Sequence, residues 1–382
     1  MRPPRQGKLG SKRERTLTPS RHLRETPRQS GGGRSRAVLV EKARQSIEQG
    51  SKSFAAASML FDRTTRERAH LLYAWCRRCD DIADGQDHGG TLTLDNSNAR
   101  DRVEAIRVLT HRALDGQPTA ELAFDAFGQV AAECGLTREM ADDVIDGFAL
   151  DAAGWRPRSE ADLMRYCFHV AGAVGVMMAR VMGVPADDHD TLDRACDLGF
   201  AFQLNNIARD IWEDDAAGRC YLPLEWLAEM DIPPGQHMKP MYRAKLAELA
   251  KRLVDLAEQH EAAARLGAAR LRFRHRWAVI SAARIYGAIG REVRELGEHA
   301  WDHRVHTSKL AKLNHVRAAF FESLRKPDPV EKMPCWTRGE MMIMARMEAP
   351  PAPIPQTPLR DEEVRPANPP ANPKPTPPPE SA

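Results

Sequence analysis

An all-α fold is predicted by three observations. Apolar residues recur at helical spacing, as in Leu72, Trp75, Cys79 and Ile82 and again in Leu246, Leu249, Leu253 and Leu256. Alternating strand patterns are scarce across the same stretch. Thirteen of the 27 prolines fall in residues 350–382, outside the periodic body. With 382 residues and 42% apolar content, the chain can bury the core of one large helical domain or two small ones.

The chain divides into three zones. Residues 1–36 hold eleven Lys/Arg against two Glu and include Gly31-Gly32-Gly33, so a disordered basic tail is expected there. A weak anchor for anionic lipid is its functional alternative. Residues 37–345 are the helical body. Residues 346–382 are expected to be a disordered, extended Pro-rich tail. The overall charge is +3, and because the first tail is so basic the body is net acidic. That excludes a globally basic nucleic-acid binder.

No apolar run approaches the roughly 18 residues that span a bilayer. The best candidate, 167–178, contains His169 and is rich in Gly and Ala, which reads as a buried core helix. The N-terminus lacks the apolar stretch of a secretory signal. Seven scattered cysteines, an odd number, argue against a disulfide framework and for a reducing, cytoplasmic setting. Cys76 and Cys79 have no second pair at zinc-finger spacing and read as ordinary helix residues.

Thr64 and Thr65, before Glu67 and Arg68, mark a helix start, and Gly85 marks its end. Within it Tyr73, Arg77, Asp80 and Asp84 follow steps of four, three and four, one polar stripe. Two carboxylates at i and i+4 repel each other, and a hard cation such as Mg²⁺ would offset that repulsion while bridging to phosphate. A solvated acidic face is the bland alternative for one such pair. A second stripe, Gln203, Asn206, Asp210 and Asp214, lies about 130 residues on, opposite Phe200, Leu204, Ile207 and Ile211. Two such helices facing each other would form a negative cleft for two or three divalent cations and a diphosphate. Gly218-Arg219 just beyond could direct a guanidinium at phosphate oxygens.

With these motifs in order, the chain resembles the squalene/phytoene synthase family. The matching segments are Ser51-Lys52-Ser53-Phe54, Tyr73 to Asp84, Tyr166 to Gly175, Asn206 to Pro223, and Arg304 to Ser308 with Lys312-Leu313. The resemblance implies the isoprenoid-synthase helical fold, a single domain whose central cavity is flanked by the two Asp-rich helices. It implies Mg²⁺, with Mn²⁺ as a substitute, held by Asp80, Asp84, Asn206, Asp210 and Asp214. Ser51, Arg77, Arg209, Arg219, Tyr221, Arg304 and Lys312 resemble the diphosphate contacts, and Gln203 and Asn206 the polar lining. Phe54, Tyr166, Ala171, Val174 and Gly175 resemble the hydrocarbon wall. Tyr73, Tyr166, Tyr221 and Tyr286 are candidates to face a carbocation. Gly50 stands where many members have His, and Asn205 where Thr is common.

The implied reaction is head-to-head coupling of two prenyl diphosphates. Ala55-Ala56-Ala57-Ser58 leaves room for long tails, and no G-x-G-x-x-G follows a strand, so no nicotinamide cofactor is expected. Both lean toward two geranylgeranyl diphosphates and phytoene, through prephytoene diphosphate. A fifteen-carbon synthase of the presqualene diphosphate, dehydrosqualene or squalene type is the alternative. A non-catalytic helical assembly factor is a third reading, and the four retained aspartates weigh against it. A lipid substrate suggests peripheral contact with the inner face of the membrane, although no amphipathic anchor helix is evident. Nucleic acid is not an expected partner, and the sequence leaves the oligomeric state open.

Overall fold

The computed structural model describes residues 29–50, 57–85 and 98–347, and no β-strand occurs among them. The first helices are α1 (Arg36–Gly50), α2 (Arg63–Ala83), α3 (Ala99–Leu114), α4 (Leu122–Cys134) and α5 (Arg138–Ala152). Next, α6 (Glu160–Cys167) runs through a π turn at Phe168–Gly172 into α7 (Ala173–Val181). The long α8 (His189–Ala216) and the short α9 (Leu224–Glu229) come after it. The chain continues with α10 (Arg243–Ala268), α11 (Phe273–Leu296), α12 (Lys309–Ser323) and α13 (Arg338–Met347).

Two groups of helices share one continuous core. In one, α2 packs on α1 and α4, and α3 on α4 and α5; in the other, α8 packs on α10 and α11, and α11 on α12. The α6–α7 segment touches α5 on one side and α8 on the other, and so joins the groups. The periodic residues lie where the sequence puts them. Leu72, Trp75, Cys79, Leu246, Leu249 and Leu253 are buried, while Ile82 and Leu256 are partly so. Trp75 stacks on Phe127 at 4.2 Å and donates Nε1–H to Thr110 Oγ1 at 3.1 Å. Burying side chains of this size contributes about 1.5–3 kcal/mol each.

The helix ends position the polar side chains of the cleft. Asp62, rather than Thr64 or Thr65, caps α2: it accepts Thr65 N–H at 3.0 Å and Thr65 Oγ1–H at 2.8 Å. Asp188 caps α8 in the same way through Thr191, at 3.2 and 2.7 Å. Each cap is worth about 1 kcal/mol. At the other ends, Gly85 (φ 68°) and Gly218 (φ 72°) adopt the left-handed conformation that turns the chain back sharply. Small residues bring α7 against α8. A Cβ on Gly175 would collide with the Ala195 carbonyl oxygen, and one on Gly199 with that of Ala171.

Two boundaries differ from expectation. Residues 29–36 belong to the packed body rather than to a disordered tail. Ser30–Gly33 forms a 3₁₀ turn, Arg34 pairs with the buried Asp125 at 2.6 Å, and Arg36 pairs with Glu133 at 2.6 Å. A buried and a partly buried carboxylate recruit these arginines, which composition counted as tail. At the other end α13 runs on to Met347, two residues past the expected end of the helical body. Residues 1–28 and 348–382, the rest of both tails, lie outside the described residues. The seven cysteines are all free. Among the described residues no helix is long and apolar enough to cross a membrane.

Candidate active site

Both acidic pairs sit at helix C-termini. Asp80 and Asp84 close α2, which ends at Ala83, and Asp210 and Asp214 close α8, which ends at Ala216. The last carbonyls of a helix carry about half a negative charge, so carboxylates there are opposed and cations favoured. Asp80 faces the open cleft, yet protein surrounds it on most sides. Burial first, and then repulsion from Asp84, push its carboxyl up to about 7. Asp214 is pushed up to about 7 by burial and then by Asp210. The charge of Asp151 acts on both Asp80 and Asp214, which places the two helix ends around one cleft.

Arginines answer half of this charge. The left-handed turn at Gly218, fixed by Arg156 donating to its carbonyl at 3.0 Å, sends Arg219 across the cleft. Its guanidinium lies 3.6 Å from Asp84. Asp210 receives Arg209 Nε–H at 2.7 Å and Arg304 Nη2–H at 2.9 Å. Three residues before Arg304, the buried indole of Trp301 donates to the Ala208 carbonyl at 3.0 Å and ties that segment to α8. Asp80 and Asp214 have no ion pair among the described residues. Arg77, expected on the diphosphate, pairs here with Asp81 at 2.7 Å, one step round the helix.

The residue that sequence reasoning missed is Asp151, at the end of α5. It accepts Tyr166 O–H at 3.1 Å and Tyr221 O–H at 2.9 Å. The two rings stack at 4.7 Å, and Trp155 stacks on Tyr166 at 5.8 Å. Burial lifts the Asp151 carboxyl to about 6, against the pull of Arg219 and the two phenols. The loop carrying Tyr221 is tied to the α5–α6 loop by Leu224 N–H to Pro157 O and Glu225 N–H to Arg158 O, both at 3.0 Å. A lone Asp in Phe148-Ala149-Leu150-Asp151 has no acidic partner in sequence. The only signal was an unpaired carboxylate at the end of an otherwise apolar helical turn.

The remaining candidates fall around this core. Gln203, Asn206, Asp210 and Asp214 are partly exposed along α8, while Leu204, Ile207, Ala208 and Ile211 beneath them are buried. Val170, Ala171, Val174, Gly175 and Met178 keep partial exposure along one stripe of the π turn and α7. Gly175 serves the close packing on α8 as well. The π turn, a feature common at functional sites, was not legible in the sequence. Tyr73 is half-buried, and its hydroxyl lies 2.7 Å from where a Cβ on Gly50 would stand. The absence of a larger residue at 50 is therefore matched by Tyr73. Tyr286 stacks on Phe202 at 4.3 Å. Asn205 is buried, with its amide oxygen against Gly290, so it packs rather than lines the cleft. Lys312 lies in the first turn of α12, half-buried. Ser51 and Phe54 lie outside the described residues.

The donor set fits a hard divalent cation. Every candidate ligand is an oxygen, both pairs sit at the negative ends of helices, and one carboxylate of each pair lacks a cationic partner among the described residues. No three His, Cys, Asp or Glu side chains among the described residues cluster tightly enough to cage a metal by themselves. Mg²⁺ does not require a cage, because it keeps several waters and takes one or two carboxylates together with substrate phosphate.

Comparison with known proteins accords with this geometry. The family described as squalene/phytoene synthase matches residues 47–311. A phytoene synthase of Pseudescherichia vulneris is 46% identical over 286 residues, 75% of this chain and 92% of that protein. A 15-cis-phytoene synthase of Pantoea ananas is 42% identical, with the same coverage. Among solved structures, a dehydrosqualene synthase superposes with a TM-score of 0.66 at 24% identity, covering 75% of this chain and 97% of that one.

Proposed function

The chain belongs to the squalene/phytoene synthase family, and from that premise we propose how its own residues carry out the reaction. It is a prenyltransferase that joins two geranylgeranyl diphosphates head to head, through prephytoene diphosphate, to phytoene. The observation that carries the residue assignment is the convergence of the two helix C-termini on one cleft, where Asp80 and Asp214 have no ion pair among the described residues while arginines stand beside them.

Asp80, Asp84, Asp210 and Asp214, with Asn206, hold Mg²⁺, which when bound neutralises charge developing on the departing diphosphate. Arg219 and Arg304, resting on Asp84 and Asp210, turn to the phosphate oxygens once the carboxylates are otherwise engaged. Arg209 and Lys312 supply further donors. The first allylic C–O bond breaks, and diphosphate leaves with the bonding pair. The alkene of the second substrate attacks the cation and, by losing a proton, closes a cyclopropane. Loss of the second diphosphate, rearrangement and loss of another proton give the hydrocarbon, with no reductant consumed. The stacked Tyr166 and Tyr221, with both phenols fixed by Asp151, form a rigid aromatic wall beside the aspartates. The apolar stripe from Val170 to Met178 keeps water from the cation.

The test is incubation of purified protein with geranylgeranyl or farnesyl diphosphate, with and without Mg²⁺. A forty-carbon hydrocarbon formed only with Mg²⁺ is expected. A thirty-carbon product formed in preference would contradict the substrate assignment.

A further inference from the structure

A second charged feature lies away from the cleft, on the outer side of α11 and α12. It is a cavity of about 690 Å³, and none of the active-site candidates lines it. Arg265, Arg276, Arg284, Arg317, Arg325 and Lys326 surround it, against the carboxylates of Glu322 and Asp328. Glu322 is already committed to Arg265 at 2.8 Å and Arg284 at 2.6 Å. The buried Nε–H groups of Arg276 and Arg284 have no acceptor among the described residues. Arg317, Arg325 and Lys326 have no ion pair among the described residues, and in a body that is net acidic they leave the cavity open to an anion.

The helix beside it is apolar on its outer side. α12 buries Ala319 and Ser323 and is pinned from below by Trp277 Nε1–H donating to the Val316 carbonyl at 2.8 Å. On the opposite side Leu310, Leu313, Arg317, Phe321 and Leu324 follow steps of three, four, four and three, a single stripe. Its four apolar members are 68%, 64%, 56% and 63% exposed. A helix facing only water would carry polar residues there. Lys309 and Arg325 flank the stripe, and Arg317 and Phe321 belong to both stripe and cavity.

We propose that α12 and this cavity form a docking face for an anionic phospholipid surface, with the apolar stripe at the acyl boundary and a lipid phosphate in the arginine-lined cavity. An apolar stripe bordered by cations is the pattern of a helix lying in a membrane interface, and each cation near such a surface adds attraction that salt screens. None of the residues assigned to the cleft lines the cavity, and the proposal does not depend on the reaction assigned there.

Co-sedimentation with vesicles tests it. The full chain is expected to partition onto phosphatidylcholine vesicles containing phosphatidylglycerol and to stay in solution with phosphatidylcholine alone. Leu313→Glu with Phe321→Glu, and separately Arg317→Glu with Arg325→Glu, should each lower partitioning at least about tenfold, with the helical circular dichroism spectrum unchanged. Should a double variant lose that spectrum, Leu324→Ser alone should still lower partitioning about threefold. Variants that partition as the wild type does, or partitioning indifferent to phosphatidylglycerol, overturn the proposal. Saturable binding of inorganic phosphate without vesicle partitioning would assign the cavity to a soluble anion and overturn it equally.

Discussion

The C-terminal ends of α2 and α8 are built alike and neutralised differently. Each carries two aspartates a turn apart and gives way to a left-handed glycine, Gly85 or Gly218. At the end of α8, Asp210 is gripped by both Arg209 and Arg304. At the end of α2, Arg77 pairs with Asp81, and among the described residues only Arg219, at 3.6 Å, reaches Asp84. The α2 end therefore holds its positive charge more loosely, with Arg219 at 3.6 Å from Asp84 where Arg304 lies 2.9 Å from Asp210. The α8 end brings its own positive charge and is better prepared to deliver guanidinium groups to phosphate.

The largest expected effect comes from removing the under-neutralised charge. Asp80→Asn with Asp84→Asn should lower turnover by a factor on the order of a thousand or more. The same change should raise the melting temperature of the metal-free protein, because the repulsion at the end of α2 disappears. Steady-state rates and a thermal melt of one preparation check both. A variant with lower metal-free stability would break the comparison.

Both stripes, and the helical fold around them, were legible because i, i+4 spacing is fixed by helix geometry. Leu72, Trp75 and Cys79 give the buried side of α2 as directly as Asp80 and Asp84 give its polar side. What spacing along one helix cannot carry is contact between distant segments. Asp151 acquires its meaning only when Tyr166 and Tyr221 arrive from α6 and from the loop after α8. Arg77 lies on the same stripe, yet Asp81, one residue after Asp80, pairs with it. The exposed apolar side of α12 could not be told from a buried one, since periodicity gives a stripe and not the direction it faces.

The next effect in size concerns that missed carboxylate. Asp151→Asn should cost about ten- to a hundredfold in kcat, as is common for groups that orient a site from behind. Tyr166→Phe combined with Asp151→Asn should cost little more than Asp151→Asn alone, since the two act through one hydrogen bond. Full additivity in that cycle would mean that Asp151 does not act through Tyr166.

Arg304→Lys keeps the charge and loses the planar fork, so KM for the diphosphate should rise about tenfold with a smaller change in kcat. Arg77→Lys should leave both constants within about a factor of three, because Asp81 holds that side chain. Equal effects at the two positions would remove the distinction drawn between the helix ends.

The smallest effect is a pH dependence of stability without metal. Asp80 and Asp214 sit at about 7 in the folded protein and start from 3.8. For groups raised on folding, the stabilising contribution is complete below 3.8 and is lost as pH climbs through about 7. The metal-free melting temperature should thus fall by about a few degrees between roughly pH 5 and 8, less than full burial would give because water in the cleft screens Asp80. Added Mg²⁺ should stabilise more at the upper pH, where the carboxylates are free to bind it.

If the two helix ends take diphosphate through divalent cations, calorimetric titration of inorganic diphosphate into the full chain reads that coupling without a turnover assay. Saturable binding with Mg²⁺, none with a chelator, and loss of binding in Asp80→Asn with Asp84→Asn is the expected result. Binding of equal strength without Mg²⁺, or in that variant, would show that the aspartates do not hold the diphosphate through metal.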